Sequence, residues 1–165
     1  MSVIENIIRS LKENNKMQQE IRFYELSKIQ IEKAIPQLLY KIYDSIKQNM
    51  ILLVETKEQV SIYDKLLWTF SSNKFLPHGT INDSKEEYTP LLVTNQEENL
   101  NDSSVIVTNH LPSDDFIAKF NKQIIVFQEE KKTPYLQKFN SLKESSYITN
   151  YWKQGLDGKW NKIPG

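Results

Sequence analysis

The chain contains no cysteine. Disulfides, thiolate catalysis and cysteine-based zinc sites are thereby excluded, and the composition suits a reducing cytosol. Glycine is scarce: Gly79, Gly155, Gly158 and Gly165 are the only four in 165 residues, against about 7% in an average chain. Loops that cradle a phosphate on backbone N–H groups need glycine, so the shortage counts against a nucleotide site. Histidine occurs twice, at His78 and His110, with no third ligand at metal spacing. Two turn histidines are the simplest reading. Net charge is absent as well, 21 basic residues balancing 21 acidic ones. No overall field draws the chain toward nucleic acid or a membrane, so an electrostatic partner must be read by a local patch. No apolar run approaches the ~20 residues of a membrane span. The opening MSVIENIIRSLKENN mixes acids and bases and does not read as a secretory signal.

What is present alternates between two periods. IRFYEL (21–26) reads as a first strand. The stripe Ile31, Ala34, Ile35, Leu38, Leu39, Ile42, Ile46 predicts a long amphipathic helix. Pro36 lies within it, and because proline suits a first turn, the regular helix is expected to begin there. MILLVET (50–56) is a continuous apolar run, the pattern of a strand buried on both faces. KEQVSIYDKLLWTF follows as a helix facing the core with Val60, Tyr63, Leu67 and Phe70. Further strands are expected at 89–95, 103–109 and 123–128. One helix is expected after Ser113 as cap, and another after Thr133 as cap with Pro134 at its first position. Asp114 and Asp115 are read as charge at a helix start, since adjacent helical residues do not converge. Asp157–Gly158 between Trp-bearing segments predicts a C-terminal hairpin.

Strand, helix, strand, helix predicts an α/β, Rossmann-like three-layer fold with a mostly parallel central sheet. Residues 1–20 are expected to add an N-terminal helix, with Ser2 as cap and Ile4, Ile7, Ile8 and Leu11 on one face, ahead of a single domain at 21–165. The turn after the first strand, SKIQIEK, holds no glycine, and neither a P-loop nor a G-x-S-x-G elbow occurs. What remains is aromatic and basic. LLWTFSSNKFLPHG places Trp68, Phe75 and Pro77 about a polar turn, and Lys131, Lys132, Lys138, Phe139 and Lys143 gather near one late helix. An aromatic floor edged by lysines can receive a peptide that is both apolar and acidic, but composition alone favours the plainer reading, in which Trp68 and Phe75 fill the core edge and the lysines are surface charge.

These residues resemble the chi subunit of bacterial DNA polymerase III. The likeness runs from about Ile21 to Lys162. It rests on Phe23–Tyr24, on Pro36-x-Leu38-Leu39, and above all on the step from Leu67–Trp68 to Phe75-x-Pro77-His78. The ending YWKQGLDGKWNK supports it. The resemblance implies a non-catalytic, cytoplasmic adaptor with no cofactor or metal, touching DNA only indirectly. The implied partners are the acidic C-terminal tail of single-stranded DNA-binding protein and, in some lineages, the psi subunit of the clamp loader. It implies a tail site with Trp68 and Phe75 as floor, Phe139 as the aromatic of the late helix and Lys132 as a basic position. Leu136 and Asn140 stand where the family often carries basic residues, so Lys138 and Lys143 are the expected substitutes. The competing reading is a Rossmann-like enzyme that binds a nucleotide or other substrate at the carboxyl edge of the sheet.

Overall fold

The computed structural model describes Ile4, Glu5, Ile8 and residues 18–88 and 90–164. Among them, eight strands form one sheet in the order β3-β4-β2-β5-β6-β1-β7-β8. The strands are β1 (Glu20–Leu26), β2 (Met50–Leu53), β3 (His78–Thr80), β4 (Leu91–Thr94), β5 (Val105–Thr108), β6 (Lys122–Gln128), β7 (Ile148–Gln154) and β8 (Trp160–Ile163). All pair in parallel except β7 with β8. That last pair is the expected hairpin. It turns at Gly158, whose φ of +83° suits glycine.

The helices are α1 (Ile31–Ile46), α2 (Lys57–Thr69), α3 (Asp114–Ile117) and α4 (Lys132–Ser141). Thr56 caps α2 by accepting from the Gln59 N–H, and Ser113 caps α3 by accepting from the Phe116 N–H. Two expected helix starts are corrected. Helix α1 begins at Ile31 and runs through Pro36, which lacks the N–H that would meet the Glu32 carbonyl. Helix α4 begins at Lys132, without a Thr133 cap, because a 3-10 turn at Glu129–Lys131 leads straight into it. Pro134 is then its third residue, still within the turn whose N–H groups have no helical partner. Strand β3 was not expected. The segment read as an aromatic loop closes the sheet edge beside β4.

Direction of travel sets the faces. Strand β1 leads to β2 and β2 to β3 toward one edge, whereas β5 leads to β6 and β6 to β7 toward the other. Right-handed crossovers then place the intervening helices on opposite faces. On the first face α1 and α2 pack Leu38, Leu39, Ile42 and Leu67 against Leu52, Val93 and Val126. On the second, α4 packs Tyr135 and Phe139 against Ile21, Phe23 and Tyr151, and α3 packs Phe116 against Ile51 and Ile106. Alternate residues of β1 supply both cores, Ile21 and Phe23 one way, Tyr24 and Leu26 the other. The three-layer expectation holds. The N-terminal helix expected over residues 1–20 falls mostly outside the described residues, Ser2, Ile7 and Leu11 included. Ile4, Glu5 and Ile8 are helical, and Ile4 packs on the first core. No described helix is long and apolar enough to cross a membrane.

Candidate functional site

Trp68 and Phe75 form an exposed aromatic step at the β3 edge of the sheet. Trp68 is the penultimate residue of α2, and it points outward because Val60, Tyr63 and Leu67 already fill the inner face. It is 59% exposed, and Phe75 is 54% exposed. Their rings lie 5.3 Å apart at 34°. Contact with each other shields little of either, which is costly for two large apolar groups in water.

The step has a rigid base. The His78 ring lies 5.1 Å from the Trp68 ring, and its side chain is fully buried. Its Nδ1 is 2.8 Å from the Leu76 carbonyl and its Nε2 is 2.9 Å from Asp64 Oδ1. Both partners are acceptors, so the ring is held from both sides and fixes β3 against α2. The next residue must be glycine. A Cβ on Gly79 would sit 2.2 Å from the Glu87 carbonyl oxygen. The histidine read as a plain turn residue is therefore the support of the step. Asp64, one helical turn before Trp68, was the signal that could have revealed it. Replacing Asp64 by alanine leaves the buried Nε2 without its acceptor and is expected to cost about 1–3 kcal/mol. Chemical unfolding measures the loss, and a wild-type midpoint in the variant would show that the contact holds nothing in place.

The remaining expected site residues lie elsewhere. Helix α4 sits on the opposite face of the sheet from α2, so Lys132, Lys138, Phe139 and Lys143 do not join Trp68 and Phe75. The single notch anticipated from the sequence is divided in two by the sheet. Phe139 is only 2% exposed and packs edge-on against Phe23 at 5.7 Å. It is a core residue, and no peptide can reach it without moving the helix. Lys143 stands over its ring at 5.6 Å. Lys138 is held by Asp114, across the gap to α3. Lys132 is exposed at the start of α4. The apolar group that α4 does offer to solvent is Leu136, at 37% exposure, one turn after Lys132, while Lys143 lies in the turn beyond the end of the helix. Leu136 puts an aliphatic surface beside the exposed Lys132.

The carboxyl edge of the sheet, where a doubly wound fold holds ligands, forms a crevice of about 130 Å³ lined by Glu32, Glu55, Gln59, Asn109 and Tyr135. Its polar groups bind one another. Gln59 Oε1 accepts from the Glu55 N–H at 3.1 Å and from Asn109 Nδ2 at 2.9 Å, and the Tyr135 hydroxyl donates to the Asn109 carbonyl at 3.0 Å. Burial lowers the pKa of neighbouring His110, against the opposing pull of Glu55 and Glu97. Lys131 lines the same crevice as Glu32 and Glu55, so its charge is mixed rather than basic.

The arrangement is thus two surfaces on two faces, beside a carboxyl-edge crevice whose polar groups bond to one another. The profile of the family described as DNA polymerase III chi subunit, HolC, matches residues 17–148. A Rickettsia prowazekii (strain Madrid E) protein described as "Probable DNA polymerase III subunit chi" is 29% identical over 161 residues, covering 93% of this chain and 97% of that protein. The chain belongs to the DNA polymerase III chi subunit family, and with the family comes an accessory role in DNA replication.

Proposed function

We propose that the chain is a non-catalytic adaptor that joins single-stranded DNA-binding protein to the clamp loader through separate surfaces on its two faces. The observation that carries this reading is the exposed, rigidly based step of Trp68 and Phe75. Large aromatics held in the open by a buried support are what protein interfaces use as anchors. The surroundings of the step favour a neutral apolar segment. Asp64 lies at its base, and Lys74 is turned away over the Tyr40 ring at 5.4 Å. A segment of a clamp-loader subunit, such as psi, fits that chemistry.

An acidic tail that ends in an apolar residue with a free carboxylate needs cations beside an aliphatic surface. Helix α4 supplies Lys132 and Leu136, and the turn that follows it supplies Lys143, with Lys138 already committed to Asp114. The tail is therefore assigned to α4 and the apolar partner to the step.

Titrating the intact protein calorimetrically with a synthetic acidic peptide carrying an apolar C-terminal residue tests the assignment. Lys132→Ala with Lys143→Ala is expected to weaken binding by up to about thirtyfold, since exposed pairs contribute up to about 1 kcal/mol each. Amidating the peptide and raising the salt both weaken it, as expected of screened surface charges. Trp68→Ala changes the affinity less than twofold. The reverse pattern, with Trp68 essential and the lysines dispensable, would place the tail on the aromatic step and overturn the two-surface reading.

A further inference from the structure

Two hollows follow one another along the outer side of α1 and share Gln37 as a common wall. In the first, of about 440 Å³, the buried Tyr24, Leu26 and Val126 lie beside a half-exposed Trp160, and the exposed Lys28 and Lys33 complete the lining. The second, of about 160 Å³, lies between α1 and the turn after α2, where Tyr40, Phe70 and Ser71 meet Lys41 and Lys74. Lys33, Gln37 and Lys41 recur at the four-residue spacing that shares one helix face. The two lysines of that row stand about 12 Å apart along the axis. The charge is of one sign. No described aspartate or glutamate lines either hollow. Of the two acids on α1, Asp44 pairs with Lys47 at 3.5 Å and Glu32 lines the carboxyl-edge crevice instead. Among the described residues, none of Lys28, Lys33, Lys41 and Lys74 is held in an ion pair. A chain without net charge has thus gathered four unneutralised lysines on one face.

Aromatic rings are interleaved with these cations. Tyr40 and Phe70 lie 6.0 Å apart at 49°, Lys74 Nζ stands 5.4 Å from the centre of the Tyr40 ring, and Trp160 meets Tyr24 edge-on at 5.8 Å. Tyr40, Phe70 and Trp160 all remain partly exposed. We propose that this side of α1 binds single-stranded DNA directly and without sequence preference. Ring faces receive the bases by stacking, which every base can do, while ammonium groups meet the phosphates between them. A series of ring and cation spread over two hollows matches a strand that repeats base and phosphate. A single terminal carboxylate would leave most of it unused. The family's place in DNA replication makes DNA, rather than RNA, the strand at hand. The proposal is independent of the aromatic step and of α4, whose assigned partners are proteins.

Fluorescence anisotropy of a labelled oligodeoxythymidylate of about 16 nucleotides, titrated with the full-length protein, tests this. Half-saturation is expected below about 100 µM protein at about 50 mM salt. With four lysines engaged, the logarithm of the affinity falls against the logarithm of salt with a slope of about −2.8. Lys33→Ala with Lys41→Ala halves that slope to about −1.4 and weakens binding about tenfold or more. Trp160→Leu keeps an apolar contact for Tyr24 but removes the stacking face, so it weakens binding about fivefold and leaves the slope unchanged. Trp68→Ala and the pair Lys132→Ala with Lys143→Ala leave DNA binding as it was, so this proposal and the adaptor reading fail separately. Cooperative unfolding near the wild-type midpoint establishes that each variant is folded. Absence of binding at about 100 µM protein in low salt overturns the proposal, as does binding that survives Lys33→Ala with Lys41→Ala. Polyglutamate of matched charge that competes as well as the oligonucleotide also overturns it, because the lysines would then be reading charge without the rings. An oligouridylate bound about tenfold more tightly than the DNA would overturn the choice of DNA as the strand.

Discussion

Replacing Phe139 with alanine is expected to lower the unfolding free energy by about 3–5 kcal/mol. The midpoint of thermal unfolding should fall by roughly 6–20 °C, at about 2–4 °C per kcal/mol for a chain of this size. The ring is enclosed by Phe23, 5.7 Å away, and Tyr151, 5.3 Å away. Both partners are strand residues and cannot collapse into the hole, so the cavity penalty adds to the lost transfer energy. The Tyr151 hydroxyl, which donates to the buried Glu25 at 2.5 Å, would lose the packing that orients it. Trp68→Ala is the counterpart. Most of that indole is in water, so its removal costs under about 1 kcal/mol and the midpoint barely moves. The two aromatics were candidates for one site on sequence grounds, yet they should separate completely by experiment: Phe139 through stability, Trp68 through partner capture with stability intact. A Phe139→Ala protein as stable as wild type that had lost affinity for the acidic peptide would return Phe139 to the surface, contrary to its packing here.

The alternation of elements was legible because each local signal was strong. The run Met50–Leu53 is buried on both sides, the stripe from Ile31 to Ile46 is helical in period, and Ser113 caps the helix it was expected to cap. The faces were not legible. Which face a crossover helix covers depends on whether the next strand is added to the left or the right, and strand order is a long-range choice that no local period records. That is why Phe139 looked like a companion of Trp68: both sit late in helices near lysines, and only the reversal between β2 and β5 separates them. Strand β3 was hidden for another reason. At three residues, starting His78–Gly79, it carries turn residues and owes its place to β4 and to the His78–Asp64 contact rather than to strand propensity. The exposure of Trp68 follows from its helix, whose inner positions Val60, Tyr63 and Leu67 already take.

Glu20→Ala is expected to cost as much as Phe139→Ala, by a different mechanism. Glu20, Arg22 and Lys122 are all buried at the start of β1 and β6. Glu20 accepts from Arg22 Nε at 2.5 Å with one carboxylate oxygen and from Lys122 Nζ at 3.2 Å with the other. One anion thus serves two cations. Burial by itself lowers the pKa of Arg22, but Tyr24 and Glu20 together outweigh it and hold the guanidinium above its usual value. Without Glu20 two positive charges remain in a poorly solvated site, and breaking a buried pair in this way costs about 3–5 kcal/mol. The loss should change little between low and high salt, because ions do not screen a site that excludes water. Glu20→Gln separates charge from shape, since it keeps the volume and removes the anion; it should lose nearly as much as alanine. Replacing the whole cluster, Glu20→Leu with Arg22→Met and Lys122→Met, removes every buried charge at once. That variant is expected to match or exceed wild-type stability, as apolar replacements of buried ion clusters do. If Glu20→Ala were harmless while the triple replacement unfolded the protein, the cluster would be holding the strands by packing of its aliphatic stems, and its charges would be incidental to the fold.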